Sequence, residues 1–304
     1  MININTPKTQ LALEEHWQGL VPILTKRIKG TDLTISECES IIKCKPEEML
    51  ETFNKWENQG KIQLKPEKNK DRKIVLVQYI GKKKIRSIFN YSEFNKKENE
   101  EKGRYGAYQL AKNLDIHVCP YCNRMYTVTV ISRKTEFVTR PEFDHFLPQS
   151  IYPLFALSFY NLIPSCKICN STVKGTRELD LHNYIHPYID NDITKFSFDY
   201  TLQRVNQVKE ILINVQEKSK ISNTLEFFKI KEIYNEHKDI VENLIQFRDV
   251  FSEDYLKSLN NAFPLSITKE VLYLLIFGTY YEETEFYKRP FSKLKKDIVK
   301  KLNL

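Results

Sequence analysis

Glycine is scarce in this chain. Only eight occur in 304 residues, and none sits in a GxGxxG or Walker-type run, so a glycine-rich phosphate loop is disfavoured. Long apolar runs are missing too. The longest, Val271 to Phe277, is far too short to span a bilayer. The opening residues Met1 to Lys8 lack the apolar core of a secretory signal. These absences predict a cytoplasmic protein with no membrane partner. Cysteine is limited to six residues, four of them in two CxxC pairs, a pattern that suits a metal knuckle better than a disulfide scaffold. There is no internal repeat and no low-complexity tract.

What is present is ordinary for a soluble globular protein of two or three domains: 41% hydrophobic and 28% charged residues. The net charge of +8 favours a polyanionic partner. A composition rich in Lys, Asn and Ile accounts for the surplus equally well.

The first third of the chain reads as three helices and a hairpin. Leu11, Leu13, Trp17, Leu20 and Leu24 recur at helical spacing, and Gly30 ends that helix. Thr34-Ile-Ser-Glu37 starts a short helix that reaches about Lys43. Pro46 sits in the first turn of a third, carrying Met49, Leu50, Phe53 and Trp56, which Gly60 closes. Extended runs 61–65 and 73–80 flank a charged turn. This order is that of a winged helix-turn-helix. The third helix is acidic (Glu47, Glu48, Glu51), which argues against base reading, whereas Lys82 to Arg86 is a better phosphate contact. Residues 91–106 read as an exposed charged helix or linker, followed by a helix from Arg104 to Asn113. Beyond Gly175, an irregular stretch leads to a hairpin, Phe196–Tyr200 with Ile211–Val215. Helical patterns follow around Leu225–Phe228, Ile240–Leu244, Tyr255–Leu259 and Thr268–Phe277, and the chain closes on a basic amphipathic segment, Lys288 to Lys296. The apolar Leu272–Phe277 stretch reads as core.

The chemistry concentrates between Cys119 and Asn170. Cys119-Pro-Tyr-Cys122 and Cys166-Lys-Ile-Cys169 each present two thiolates on one side of a turn, and together they complete a tetrahedral Zn2+ shell. Four thiolates leave no open position, so this zinc is structural. Unrelated or redox-active cysteines are the alternative. Cys38 and Cys44 sit among helical apolar positions and read as small buried hydrophobes. The 43 residues between the pairs exceed the loop of a simple ribbon. They hold Asp144-His145, at the end of an expected strand Phe137–Phe143, and Asn161; Asn170 follows the last cysteine on an expected helix, Cys166–Lys174. Neighbouring strand residues face opposite ways, so Asp144 and His145 can divide metal binding from substrate contact.

Cys119-x-x-Cys122, Asp144-His145-x-x-Pro148, Asn161-Leu162, Cys166-x-x-Cys169-Asn170 and Lys174, in that order, resemble the motif of HNH, or ββα-metal, endonucleases of the zinc-bearing type. The motif covers about 55 residues, counted from Cys119 to Lys174. More loosely, the whole chain looks like HNH effectors of bacterial anti-phage systems, such as those of Septu or retrons. The element order and the resemblance together predict an α+β, mainly helical chain: a winged-helix-like domain at 1–88, an HNH core with its zinc knuckle at 89–190, and a helical domain at 191–304. The resemblance implies DNA hydrolysis with His145 as general base, Asp144 and Asn170 holding Mg2+ or Mn2+, and Asn161 bracing the loop that carries His145. Lys174, Lys167 and His186 are candidate phosphate contacts, and His182 and His237 are weaker candidates. Many HNH members carry His where Asn170 stands, which leaves the metal preference open. Two other readings remain at this point: a zinc-ribbon and winged-helix DNA-binding protein without catalysis, and a nuclease subunit active only with a partner such as an ATPase or another defence-system subunit.

Overall fold

The computed structural model describes residues 1–132, 136–216, 219–250 and 268–304. It is an α+β structure in which helices surround small antiparallel sheets. Helices α1 (Thr9–Arg27), α2 (Ile35–Ile42) and α3 (Pro46–Asn58) precede strands β1 (Gln63–Lys68) and β2 (Ile74–Ile80), close to the spans read from the sequence. Local chemistry explains the agreement. Thr34 accepts from the Glu37 amide while the Glu37 carboxylate accepts from the Thr34 amide, a reciprocal cap worth about 1 kcal/mol. Pro46 occupies the first turn of α3, where its missing N–H costs nothing. Gly60 ends α3 at φ +67°.

The three helices do not stand apart from the centre of the molecule. One buried apolar cluster runs through them, the knuckle cysteines and the C-terminal helices. The loop 146–161 is the seam. His16 of α1 hydrogen-bonds through Nε2 to the Leu157 carbonyl at 2.8 Å. The Ser158 hydroxyl donates to the Ile41 carbonyl at 2.6 Å, and Phe53 of α3 meets Tyr152 edge-on at 5.2 Å. The acidic α3 therefore spends its apolar face on this loop.

Where charge outweighed pattern, the sequence reading needs correction. Residues 91–106 hold two short helical segments, Tyr91–Phe94 and Lys97–Glu101, and they are not a free linker. Glu100 is buried and accepts from the Tyr108 amide at 2.7 Å, capping the helix Ala107–Leu114 that feeds the first CxxC pair. Gly106 permits this, since a Cβ there would lie 2.1 Å from the Glu100 carboxylate. The expected strand 137–143 is two strands, Phe137–Thr139 and Glu142–His145, broken at Arg140-Pro141 because proline cannot donate to a ladder.

The C-terminal part builds on the hairpin Phe196–Arg204 with Gln207–Val215. Helices Lys220–Phe227, Ile230–Asn235, Lys238–Val250, Lys269–Phe277 and Ser292–Leu302 accompany it. The helix expected at Tyr255–Leu259 lies outside the described residues. Helix Lys269–Phe277 buries Tyr273 and Phe277 but exposes Val271 and Leu275, so only one of its faces is core. Among the described residues no helix is long and apolar enough to cross a membrane.

Burial raises the Glu100 carboxyl to about 7 against an ordinary 4.5, opposed by the Tyr108 amide and by Arg140. The folded chain then holds a proton that the unfolded chain releases, so this group's contribution to stability falls as pH rises through that window. Comparing urea unfolding at pH 5 and pH 8, we expect Glu100→Gln to flatten the pH dependence by about 2 kcal/mol.

Candidate metal and catalytic centre

The first CxxC pair lies in a tight turn. The Cys119 amide donates to the Met125 carbonyl at 3.0 Å, and the Asn123 amide donates to the Cys119 carbonyl at 2.8 Å. Asn123 takes φ +47°, a left-handed turn that asparagine tolerates better than most residues. The second pair opens the helical turn that follows strand Leu162–Ser165, with the Cys169 amide donating to the Cys166 sulfur at 3.4 Å. All four Sγ atoms are buried and lie within 4.8 Å of one another. Tetrahedral zinc thiolates, with bonds of about 2.3 Å, need sulfurs about 3.8 Å apart, so the cluster fits a metal such as zinc. Burial pushes the Cys119 thiol up, while hydrogen bonds from the neighbouring thiols hold Cys122 down. Four thiolates this close need a cation to offset them. Cys38 and Cys44 are buried elsewhere, with thiols pushed up to about 11 by desolvation.

The turn is anchored from the far end of the chain. Tyr234 donates its hydroxyl to the Cys122 carbonyl at 2.7 Å. Asn123 is held by the Phe286 carbonyl and the Phe291 amide, at 3.1 and 2.7 Å. Tyr121, inside the CxxC, stacks on Phe228 at 4.3 Å.

Strands Glu142–His145 and Leu162–Ser165 pair antiparallel, with Asp144 opposite Ile163 and His145 opposite Leu162. The loop between them closes on Asn161, which is wholly buried. Its Oδ1 accepts from the Leu147 amide at 2.7 Å, and its Nδ2 donates to the carbonyls of Leu147 and Phe155 at 3.1 and 3.0 Å. The next carbonyl, that of Ala156, lies 3.0 Å from His145 Nε2. A carbonyl only accepts, so Nε2 carries the proton and Nδ1 keeps its lone pair. Tyr91 stands edge-on to the ring at 4.4 Å. Burial pulls His145 down to about 4, with Lys174 adding to the effect and Ala156 and Asp144 opposing it. The imidazole is neutral at pH 7.

Residues Ile168–Lys174 form a π-helix, closed by the Gly175 amide on the Asn170 carbonyl at 2.7 Å. Its wide turn points Asn170 and Lys174, four residues apart, at the strand beside it. Asn170 Nδ2 and the Ser171 hydroxyl both donate to Glu142 Oε2, at 2.9 and 2.7 Å. The bond to Glu142 fixes the amide so that its oxygen is the free end. Lys174 Nζ donates to Asp144 Oδ1 at 2.9 Å and to the His145 carbonyl at 2.7 Å. Tyr121 donates to the other Asp144 oxygen at 2.7 Å. Asp144, His145, Asn170, Glu142 and Lys174 line one cleft of about 840 Å3.

Three expected phosphate contacts lie differently from one another. Lys167 is exposed. Lys174 is buried and spends its donors on Asp144 and His145, so a surface role does not fit it. His186 is also buried, against Phe146 at 4.4 Å, and is held neutral by desolvation. It follows the motif in sequence but is shut away from solvent. His182 is exposed, and His237 packs on Phe291. Sequence reasoning missed Tyr121, Tyr91 and Glu142. For Tyr121 and Glu142 a signal was available: one lies inside the first CxxC, and the other is two residues before Asp144 on the same strand face.

In comparisons with known proteins, this chain is 50% identical over 52 residues to protein ea31 of Escherichia phage lambda, which is 16% of this chain and 18% of that protein. It is 40% identical over 60 residues to Septu protein PtuB of Bacillus thuringiensis, 19% of this chain and 23% of that one. The chain thus spans about a fifth of the length of these relatives. No family model and no solved structure matches it.

The cluster predicts about one zinc per chain in purified protein. By metal analysis, Cys122→Ser or Cys169→Ser should lose most of it, with a lower melting temperature because binding and folding are linked. Full zinc in either variant would count against the assignment.

Proposed function

We propose that the chain is a metal-dependent HNH endonuclease that hydrolyses DNA phosphodiester bonds in anti-phage defence. One observation carries the reading: Asp144, His145 and Asn170 border a single cleft, on a hairpin and helix flanked by a four-cysteine cluster. The partial likeness to Septu protein PtuB supports the defence context and a partner subunit from such a system.

The donor set fits a hard divalent cation. A carboxylate and an amide oxygen suit Mg2+ or Mn2+, and Glu142 already turns the Asn170 oxygen away from the strand. Bound by Asp144 and Asn170, such an ion would polarise the phosphoryl oxygen and take up charge on the leaving 3′ oxygen. The chain's own groups do the rest. His145 Nδ1, unprotonated at pH 7, accepts the proton of the attacking water. Ala156 fixes its tautomer and Tyr91 its ring plane. Asn161 acts at one remove, holding the loop that carries Ala156. Tyr121 orients Asp144 from inside the knuckle, and Lys174 balances its charge.

Cleavage of plasmid DNA with Mg2+ or Mn2+ tests this. His145→Ala should lose at least about 100-fold in rate while keeping its zinc. Activity unchanged by that substitution would overturn the mechanism. Tyr121→Phe should raise the Mn2+ concentration needed for half-maximal rate, again with zinc retained.

A further inference from the structure

A second depression adjoins the catalytic cleft. It encloses about 560 Å3 and is lined by Lys26, Arg27, Tyr79, Lys82, Lys83, Lys84 and Ser87. Five of these seven residues are cationic, and no carboxylate lines it. Arg27 is paired with Glu93, Lys84 with Glu67, and Lys83 donates to the Arg27 carbonyl. Lys26 and Lys82 are exposed and have no hydrogen-bond or ion-pair partner among the described residues. The short helix Ile85–Ile88 separates this depression from the cleft: Ser87 lines one side, and Arg86, also exposed and unpaired among the described residues, lines the other.

Of the cations lining the depression and the cleft, Lys26, Lys82 and Arg86 are those left without a partner among the described residues, and they lie on both sides of the helix, an arrangement that suits an anion with several charges better than a single phosphate. A chain of regularly spaced phosphates is such an anion. The geometry points to a phosphodiester track: nucleic acid seated in the cleft continues over Ile85–Ile88, with Arg86 contacting a phosphate on the cleft side and Lys82 and Lys26 contacting phosphates beyond it. This rests on the nuclease reading for the direction of the strand but not for the contacts. It gives the N-terminal unit a backbone-holding role, with no base reading required of α3.

The test is fluorescence anisotropy with a labelled DNA duplex, without added Mg2+ or Mn2+, across a salt series. The proteins are the wild type, the triple variant Lys26→Ala/Lys82→Ala/Arg86→Ala and, as a control for net charge, Arg204→Ala/Lys209→Ala/Lys300→Ala at exposed positions of the C-terminal part. The triple variant should bind roughly tenfold or more weakly at about 0.1 M salt, with the slope of log K against log salt shallower by about 2 to 3; the control should match the wild type. Unchanged affinity and slope, an equal loss in the charge-matched control, or no DNA binding by the wild type would each overturn the track. The same preparations assayed for cleavage separate the two ideas. Wild type that binds through the track without cleaving refutes only the nuclease reading. Cleavage by wild type alongside normal binding by the triple variant refutes only the track. Melting curves of the triple variant, all of whose substitutions are at exposed positions, should overlay the wild type.

Discussion

A pair of four-residue strands makes too few hydrogen bonds to hold side chains still, yet the positions of Asp144, His145 and Asn170 depend on such a pair. The constraint that makes the site possible lies outside the hairpin, in the four-cysteine cluster. One CxxC precedes the strands and the other follows them, so a metal joining the pairs closes the module around the strands. Tyr121 turns that closure into a direct link. It belongs to the knuckle by sequence and to the cleft by its hydrogen bond to Asp144. Its ring is pinned by Phe228, so the Asp144 carboxylate is referenced to the C-terminal helices as well as to its own strand.

Burial sets the character of the cleft. Asp144 and Lys174 are each about 2% exposed, and removing one partner of such a pair costs about 3–5 kcal/mol because the other charge is left without a counter-ion. The pairing therefore does more to define where Asp144 points than to stabilise the fold. The same desolvation keeps His145 neutral. Solvent exclusion thus leaves one ring nitrogen with a free lone pair, without a carboxylate partner for the ring.

How much of this was legible in the sequence follows the range of each interaction. The Thr34–Glu37 cap, the Pro46 start, the Gly60 stop and the two CxxC pairs are local, and each could be read within a few residues. Asp144, His145, Asn161 and Asn170 were legible as a pattern, and they line or brace one cleft. Glu142 and Tyr121 carried a positional cue, but their partners, 28 and 23 residues away, did not, and Tyr91, 52 residues from the Phe143 carbonyl it bonds, carried none. The π-helix could not be foreseen either, since its residues suit an α-helix equally well; the wider turn follows from how Asn170 and Lys174 meet the strand. Lys174 and His186 misled for the same reason: sequence proximity to a site says nothing about which way a side chain is buried.

The N-terminal helices acquire a purpose from their contacts. His16, Ile41 and Phe53 all touch the loop 146–161, and that loop supplies the Ala156 carbonyl that sets the His145 tautomer. A displacement of α1 to α3 cannot leave the loop unchanged, because both bury into one apolar cluster. The same unit carries the cationic surface beside the cleft. The elements that pack against the loop holding the Ala156 carbonyl are therefore also the ones that present that surface.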